Sequence, residues 1–182
     1  AKLKSDYFFA VMSYGNYAGA GIHHFAKIAR RSGIRLSYLN DIIMVDNYLP
    51  LFDMEKQIQK APSKNIDENL AGIVDDIHSK KAYIKPKSFI GKIPTFFAQQ
   101  FYKATFGKAD KRFVVEDACN GCKVCEKVCP VDNIKVAQKP AFHHHCEECL
   151  ACAHLCPQNA IRLTNEKSNA RFINENVTLK DI

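Results

Sequence analysis

All eight cysteines of this 182-residue chain fall between Cys119 and Cys156. They form two runs, Cys119-Asn-Gly-Cys122-Lys-Val-Cys125-Glu-Lys-Val-Cys129-Pro130 and Cys146-Glu-Glu-Cys149-Leu-Ala-Cys152-Ala-His-Leu-Cys156-Pro157. Both read C-x2-C-x2-C-x3-C-P, and they repeat at a shift of 27 residues. The likeness continues past the cysteines, where Asn133-Ile134-Lys135-Val136 aligns with Ala160-Ile161-Arg162-Leu163. Thiolates are soft ligands that suit iron–sulfur clusters and zinc alike. Disulfides are the other use of an even cysteine count, but they belong to small exported domains. Thiols crowded into 38 residues point to metal instead. A pair of four-cysteine zinc sites is the remaining alternative. Zinc modules place two C-x2-C knuckles around a longer spacer, whereas a third cysteine followed by Cys-Pro, twice over, suits two cubane clusters.

With its cysteines in this order, the chain resembles the bacterial dicluster ferredoxins over roughly Phe113 to Thr164. In that bacterial run the fourth cysteine ligates the other cluster. The resemblance therefore implies two interlocked [4Fe–4S] sites. One would be held by Cys119, Cys122, Cys125 and Cys156, the other by Cys146, Cys149, Cys152 and Cys129. It also implies two pseudo-symmetric halves of short strands and a helix, each cluster carrying one electron. Phe113-Val114-Val115, Ile134, Val136, Phe142, Ile161 and Leu163 are the apolar flanks expected to build the strand pairs. Gly121 is expected to let the first loop take strained backbone angles. Reduction adds negative charge, which Lys123 in the first loop favours and Glu147 and Glu148 in the second oppose. The first cluster is thus expected to be the easier to reduce. His143-His144-His145 aligns with Glu116-Asp117-Ala118 and reads as a partly solvated strand end, with pH-dependent tuning as the other use.

The elements upstream have different patterning. Tyr7 to Met12 is an apolar run of strand length, and Ser13 to Gly19 reads as a loop. Ile22, Phe25, Ala26 and Ala29 recur at helical spacing until Gly33, and Ile34 to Leu39 reads as the next strand. Strand, helix and strand make a parallel βαβ unit. Ile66, Leu70, Ile73, Val74 and Ile77 mark a second amphipathic helix. These residues, with Asp46 to Asp53, resemble the C-terminal half of a flavodoxin-like domain. The order of parts is similar to the family in which such a domain is fused to a dicluster ferredoxin. That resemblance implies a flavin-ring loop at Ser13, Tyr14, Gly15, Asn16 and Tyr17; a plain α/β turn is the alternative. The phosphate-binding Ser/Thr-x-Thr-Gly-Asn loop of the family is absent. FMN is therefore expected only if the missing phosphate-binding half is supplied, and an upstream half is expected because few strands leave an open edge.

The fold class expected is α+β: a ferredoxin-like 2x[4Fe–4S] domain following a partial flavodoxin-like α/β segment. Its boundaries are read as 1–82 for the α/β segment, 83–112 for a basic, aromatic interdomain helix or linker, 113–166 for the cluster domain and 167–182 for a polar tail. The formal charge of +7 is concentrated in one place. Lys80 to Arg112 holds nine basic residues against a single acid, Asp110, while the flanking stretches are close to neutral. Phe89, Phe96, Phe97, Phe101, Tyr102 and Phe106 interleave with those lysines. An interdomain helix with its lysines in water is the plain reading, and a docking face for an acidic redox partner is the next. Nucleic acid is not expected as a partner, since no recognisable motif accompanies the texture. No apolar run reaches the ~20 residues of a spanning helix, and the polar start lacks a secretory core, so a cytoplasmic chain is expected.

Function follows from the cysteines. The expected role is an iron–sulfur electron-transfer protein, passing single electrons through two clusters between redox partners and more a carrier than an enzyme. Two alternatives stand: an FMN-dependent oxidoreductase fed by the clusters, and a metal-stabilised binding module displaying the basic helix.

Overall fold

Residues 3–86, 100 and 107–180 are described in the computed structural model. The basic, aromatic helix expected around Phe97 and Phe101 lies outside those residues. Two units are distinguished, one of residues 1–46 and 59–100, the other of 47–58 and 101–182.

The first unit is built on a parallel sheet of order β1-β2-β3, with β1 at Phe9–Tyr14, β2 at Tyr38–Ile43 and β3 at Tyr83–Ile84. Helix α1, Gly21–Arg31, crosses between the first two strands, and Phe9 pairs with Tyr38 through to Tyr14 with Ile43. Ile22 and Ala29 are the buried positions of α1, while Arg30 and Arg31 in its last turn complement the negative end of the helix dipole. Beyond α1, Gly33 takes φ +80°; its N–H bonds Arg30 O and the Ile34 N–H bonds Ala29 O. This 6→1 and 5→2 pair is a Schellman cap. It explains why β2 begins at Tyr38 rather than at Ile34, because the cap and turn use up the first apolar residues of the expected strand.

β2 is the central strand, and Tyr38 and Leu39 are fully buried. Helix α3, Ile66–His78, packs on it, and Tyr38, Ile42 and Ile73 form the core with Tyr83 and Ile77 against them. The third strand falls within the stretch expected to link the domains. A short helix, α2, at Met54–Lys60 has no counterpart in the sequence reading.

The second unit gathers its core around short antiparallel pairs. β4 (Phe113–Val115) pairs with β7 (Ile161–Leu163), and β5 (Ile134–Val136) pairs with β6 (Pro140–Phe142). The expected apolar flanks supply these strands. Ile134, Ile161 and Leu150 are almost wholly buried, and Phe113 meets Phe142 edge-on at 5.4 Å between ring centres. Leu49 and Met54 complete the same core and are fully buried there. The tail is held more closely than its polarity suggests. Ala170 and Phe172 pack on the core, Lys167 N–H donates to Leu49 O, and the Met54 N–H donates to Ser168 Oγ at 2.9 Å.

Candidate metal centre

The two cysteine runs fold as copies of one backbone. Gly121, Lys123 and Asp132 in the first run take φ of 70°, 64° and 53°. Their counterparts 27 residues on, Glu148, Leu150 and Asn159, take 57°, 61° and 48°. Left-handed angles at five non-glycine residues cost energy and persist only where the surroundings impose them. Lys123 and Leu150 each precede a one-turn helix, Val124–Lys127 and Ala151–His154. The turn bonds match as well: Val128 N–H to Val124 O and Leu155 N–H to Ala151 O. Gly121 has a second reason to be glycine, because a Cβ there would stand 3.0 Å from Gln138 O.

These loops surround two hollows. Cys119, Cys122, Cys125 and Cys156 line one, closed by Val136 and Ile161. Cys129, Cys146, Cys149 and Cys152 line the other, closed by Phe113, Ile134 and Leu150. Each quartet therefore draws three cysteines from one run and the last from the other. Cys122 and Cys149 are exposed, whereas Cys125 and Cys152 are buried. Among the described residues no three His, Cys, Asp or Glu side chains converge as they would on a single ion. Four sulfurs around an apolar hollow are a donor set that an iron–sulfur cluster accepts.

The sulfurs are prepared for charge. The Asn133 N–H reaches Cys129 Sγ at 3.2 Å and the Ala160 N–H reaches Cys156 Sγ at 3.3 Å, four residues on in each copy. Glu148 N–H adds a bond to Cys146 Sγ at 3.3 Å. Burial pushes the Cys125 thiol up to about 11 and raises Cys152 still further. Cys146 is raised too, by burial first and in smaller part by the carboxylate of Asp110, against the Glu148 N–H. Thiols so placed become thiolates at neutral pH when a metal binds them and supplies the compensating charge.

Polar side chains hold the second quartet's surroundings. Asp110 is 2% exposed. Its Oδ2 accepts from Asn133 Nδ2 at 2.8 Å and from the His144 N–H at 3.1 Å, and its Oδ1 meets His144 Nδ1 at 2.9 Å. Burial pushes this carboxyl up, but the Asn133 and His144 bonds outweigh it and hold the group below its ordinary value. It is an anion at neutral pH. Asn133 Oδ1 accepts from the His145 N–H at 2.8 Å, so one buried carboxamide ties three segments together. Glu148, placed by sequence among charges that oppose reduction, is paired with Arg112 and also accepts from the Tyr48 hydroxyl at 2.6 Å. Its charge is compensated. The three histidines are exposed, as a solvated strand end requires.

His154 is a further residue that spacing did not single out. It is 4% exposed, and burial lowers its pKa. Nδ1 accepts from the Phe172 N–H at 3.1 Å, so the neutral ring carries its proton on Nε2, which donates to Asn47 O at 2.8 Å. It clasps the 47–58 segment and the tail to the cysteine-bearing loops.

Ser13, Tyr14, Gly15, Asn16 and Tyr17 lie at the C-terminal end of β1. Asp46 Oδ2 accepts from the Asn16 N–H at 3.2 Å and from Asn16 Nδ2 at 3.3 Å. Lys64 Nζ bonds Gly15 O at 3.2 Å and Met44 O at 2.6 Å, and burial lowers its pKa. Tyr17 is 58% exposed.

Residues 113–135 match the model of the 4Fe-4S binding domain family, which takes in β4, the first cysteine run and the start of β5. No curated protein and no solved structure matches the chain. The chain thus contains a ferredoxin-like iron–sulfur domain with at least one [4Fe–4S] cluster. No helix among the described residues is long and apolar enough to cross a membrane.

Proposed function

We propose that the chain is a one-electron carrier with two [4Fe–4S] centres. The first would be held by Cys119, Cys122, Cys125 and Cys156, the second by Cys129, Cys146, Cys149 and Cys152. One observation carries this reading. The second cysteine run repeats, angle for angle, the left-handed backbone of the run that the family model matches. When bound, each cluster supplies the capacity to take up and release one electron. The residues of the chain do the rest. Backbone N–H groups steady the sulfurs, and Ile134, Val136 and Ile161 exclude water from the inner faces. Cys122 and Cys149 leave an outer face of each centre open to redox partner proteins. The basic residues between Lys80 and Arg112 favour partners with an acidic surface.

Anaerobic quantitation of iron and acid-labile sulfide, with an EPR spectrum after dithionite reduction, tests the reading. About eight iron per chain and two interacting paramagnetic centres are expected. About four iron, or zinc in place of iron, would overturn it.

A second reading adds a flavin to the first unit, read as the C-terminal half of a flavodoxin-like domain. It is favoured by the position of the Ser13–Tyr17 loop at the carboxyl end of parallel strands, where open α/β sheets bind ligands. In this reading Tyr17 would cover the FMN ring, and the phosphate would need groups beyond those described. Titration of the chain with FMN, read as quenching of flavin fluorescence, separates it from the carrier reading.

A further inference from the structure

Asp110 is the one acid in the basic stretch from Lys80 to Arg112, and it is among the most buried charged side chains of its unit. Chain geometry brings it beside the second quartet. Gly107 forms an antiparallel bridge with Cys146 and takes φ +74°, and a Cβ there would stand 3.2 Å from His144 O. Segment 107–112 is thereby laid along residues 144–146. Asn133, which donates to the Asp110 carboxylate, itself lines the second hollow.

Three observations make this carboxylate different from its neighbours. Its titratable partner, among the described residues, is His144, whose side chain is 57% exposed, and none of the described Lys or Arg side chains pairs with it. Glu148 has Arg112 for that purpose. At the first quartet the position equivalent to Asn133 is Ala160, fully buried and without a polar side chain to hold a carboxylate.

Resting on the two-centre reading above, we propose that Asp110 sets the centre at Cys129, Cys146, Cys149 and Cys152 below the other in reduction potential. A fixed negative charge disfavours an added electron, and the effect is large where water is excluded. An electron donated by a partner protein then rests at the first quartet. Among the described residues the second quartet receives N–H···S bonds at Cys129 and Cys146 and the first at Cys156, where the Glu126 backbone also bonds Cys125, so amide donation does not separate the two. A buried full charge with no Lys or Arg partner among the described residues is what distinguishes the second quartet. The proposed order is the one expected from Lys123, Glu147 and Glu148, with a buried residue in place of those charges as its cause.

An EPR-monitored redox titration of the anaerobically purified full chain tests this. Two midpoints are expected in the wild type. Asp110→Asn should raise the lower midpoint and leave the upper in place, while Glu147→Gln, at an exposed position, should move neither comparably. Unchanged spacing in Asp110→Asn overturns the proposal. Should that variant fail to retain iron, the wild type alone decides. A spacing that survives from low salt to about 1 M salt supports a buried charge, because exposed charges are screened there. A spacing that collapses with salt belongs to Lys123 and Glu147 and overturns it. About four iron per chain removes the two-centre reading and the proposal together; about eight with a single shared midpoint removes the proposal alone.

Discussion

Asn133 and Ala160 occupy equivalent places in the two halves, each giving its N–H to the sulfur of the cysteine four residues before it. Their side chains differ, and that difference is where the duplicated halves part company. The Asn133 carboxamide serves Asp110 and the His145 N–H at once. Asn133→Ala would keep the N–H···S bond but leave the buried Asp110 carboxylate one donor short and the His145 N–H without its acceptor. A loss of about 2–4 kcal/mol is expected, since each unsatisfied buried group costs about 1–3 kcal/mol and a charged one more. Denaturant-induced loss of cluster absorbance measures it. A change under about 0.5 kcal/mol would show that water replaces the carboxamide at no cost.

Tyr48 and Arg112 share the carboxylate of Glu148. Tyr48→Phe removes one bond to a charged group and should cost about 1–2 kcal/mol. Arg112→Met leaves the carboxylate with the hydroxyl alone and should cost more, about 2–4 kcal/mol, because a partly buried charge loses its counter-charge. Thermal melts of the two variants give the order, and a larger loss in Tyr48→Phe would contradict it.

In the first unit, Gly15 stands against the Asp46 side chain so closely that an added Cβ would overlap it. Gly15→Ala should destabilise that unit by about 1–3 kcal/mol through overpacking. Asp46→Gly removes both the obstacle, which includes the Asp46 Cβ, and the acceptor of the Asn16 bonds. The double variant should therefore recover part, not all, of the Gly15→Ala loss. Hydrogen exchange of the β1 amides reports it, and strict additivity would show that the two sites do not meet.

Asp76 sits between the Lys81 ammonium, 2.8 Å away, and the Tyr38 hydroxyl at 3.2 Å. The Lys81 bond first, and the Tyr38 bond after it, hold its carboxyl below the ordinary 3.8. A depressed carboxyl contributes stability that is present above its unfolded value and is lost as pH falls through the folded one. Lys81 is raised by the same contact, so its share is present below 10.5 and lost as pH rises through its folded value. Protection of the β2 amides should therefore decline below about pH 4, and Asp76→Asn should flatten that decline. Amide exchange is the appropriate readout because clusters dissolve in acid for reasons of their own.

The spacing of the first cysteine run made an iron–sulfur domain legible, and the apolar pairs flanking each run marked β4, β5, β6 and β7. Periodicity also placed α3, whose buried Ile73 belongs to the stripe read from sequence. What escaped was long-range. Tyr48 and Glu148 are 100 residues apart, and nothing local in Asn47 to Met54 signals that this segment completes a core built mainly from residues beyond 112. The start of β2 was hidden by a cap, since Ile34 has strand propensity but spends its N–H on Ala29 O. Asp110 stood out in composition as one acid among nine bases, yet burial gives that oddity its meaning. Arg171, polar by type, is 8% exposed in its side chain and pairs with Glu166, which is why the tail is held closely.

Leu49 and Met54 have a consequence for how this polypeptide can be divided. The strand of chain carrying them leaves the parallel sheet, fills the heart of the cysteine-bearing body, and goes back to its first home. A gene fragment beginning at Phe113 would encode every sulfur yet lack two of the wholly buried side chains beneath them. Excision at that point would open a gap where Leu49 and Met54 now sit, so the excised body should be less stable than the whole chain.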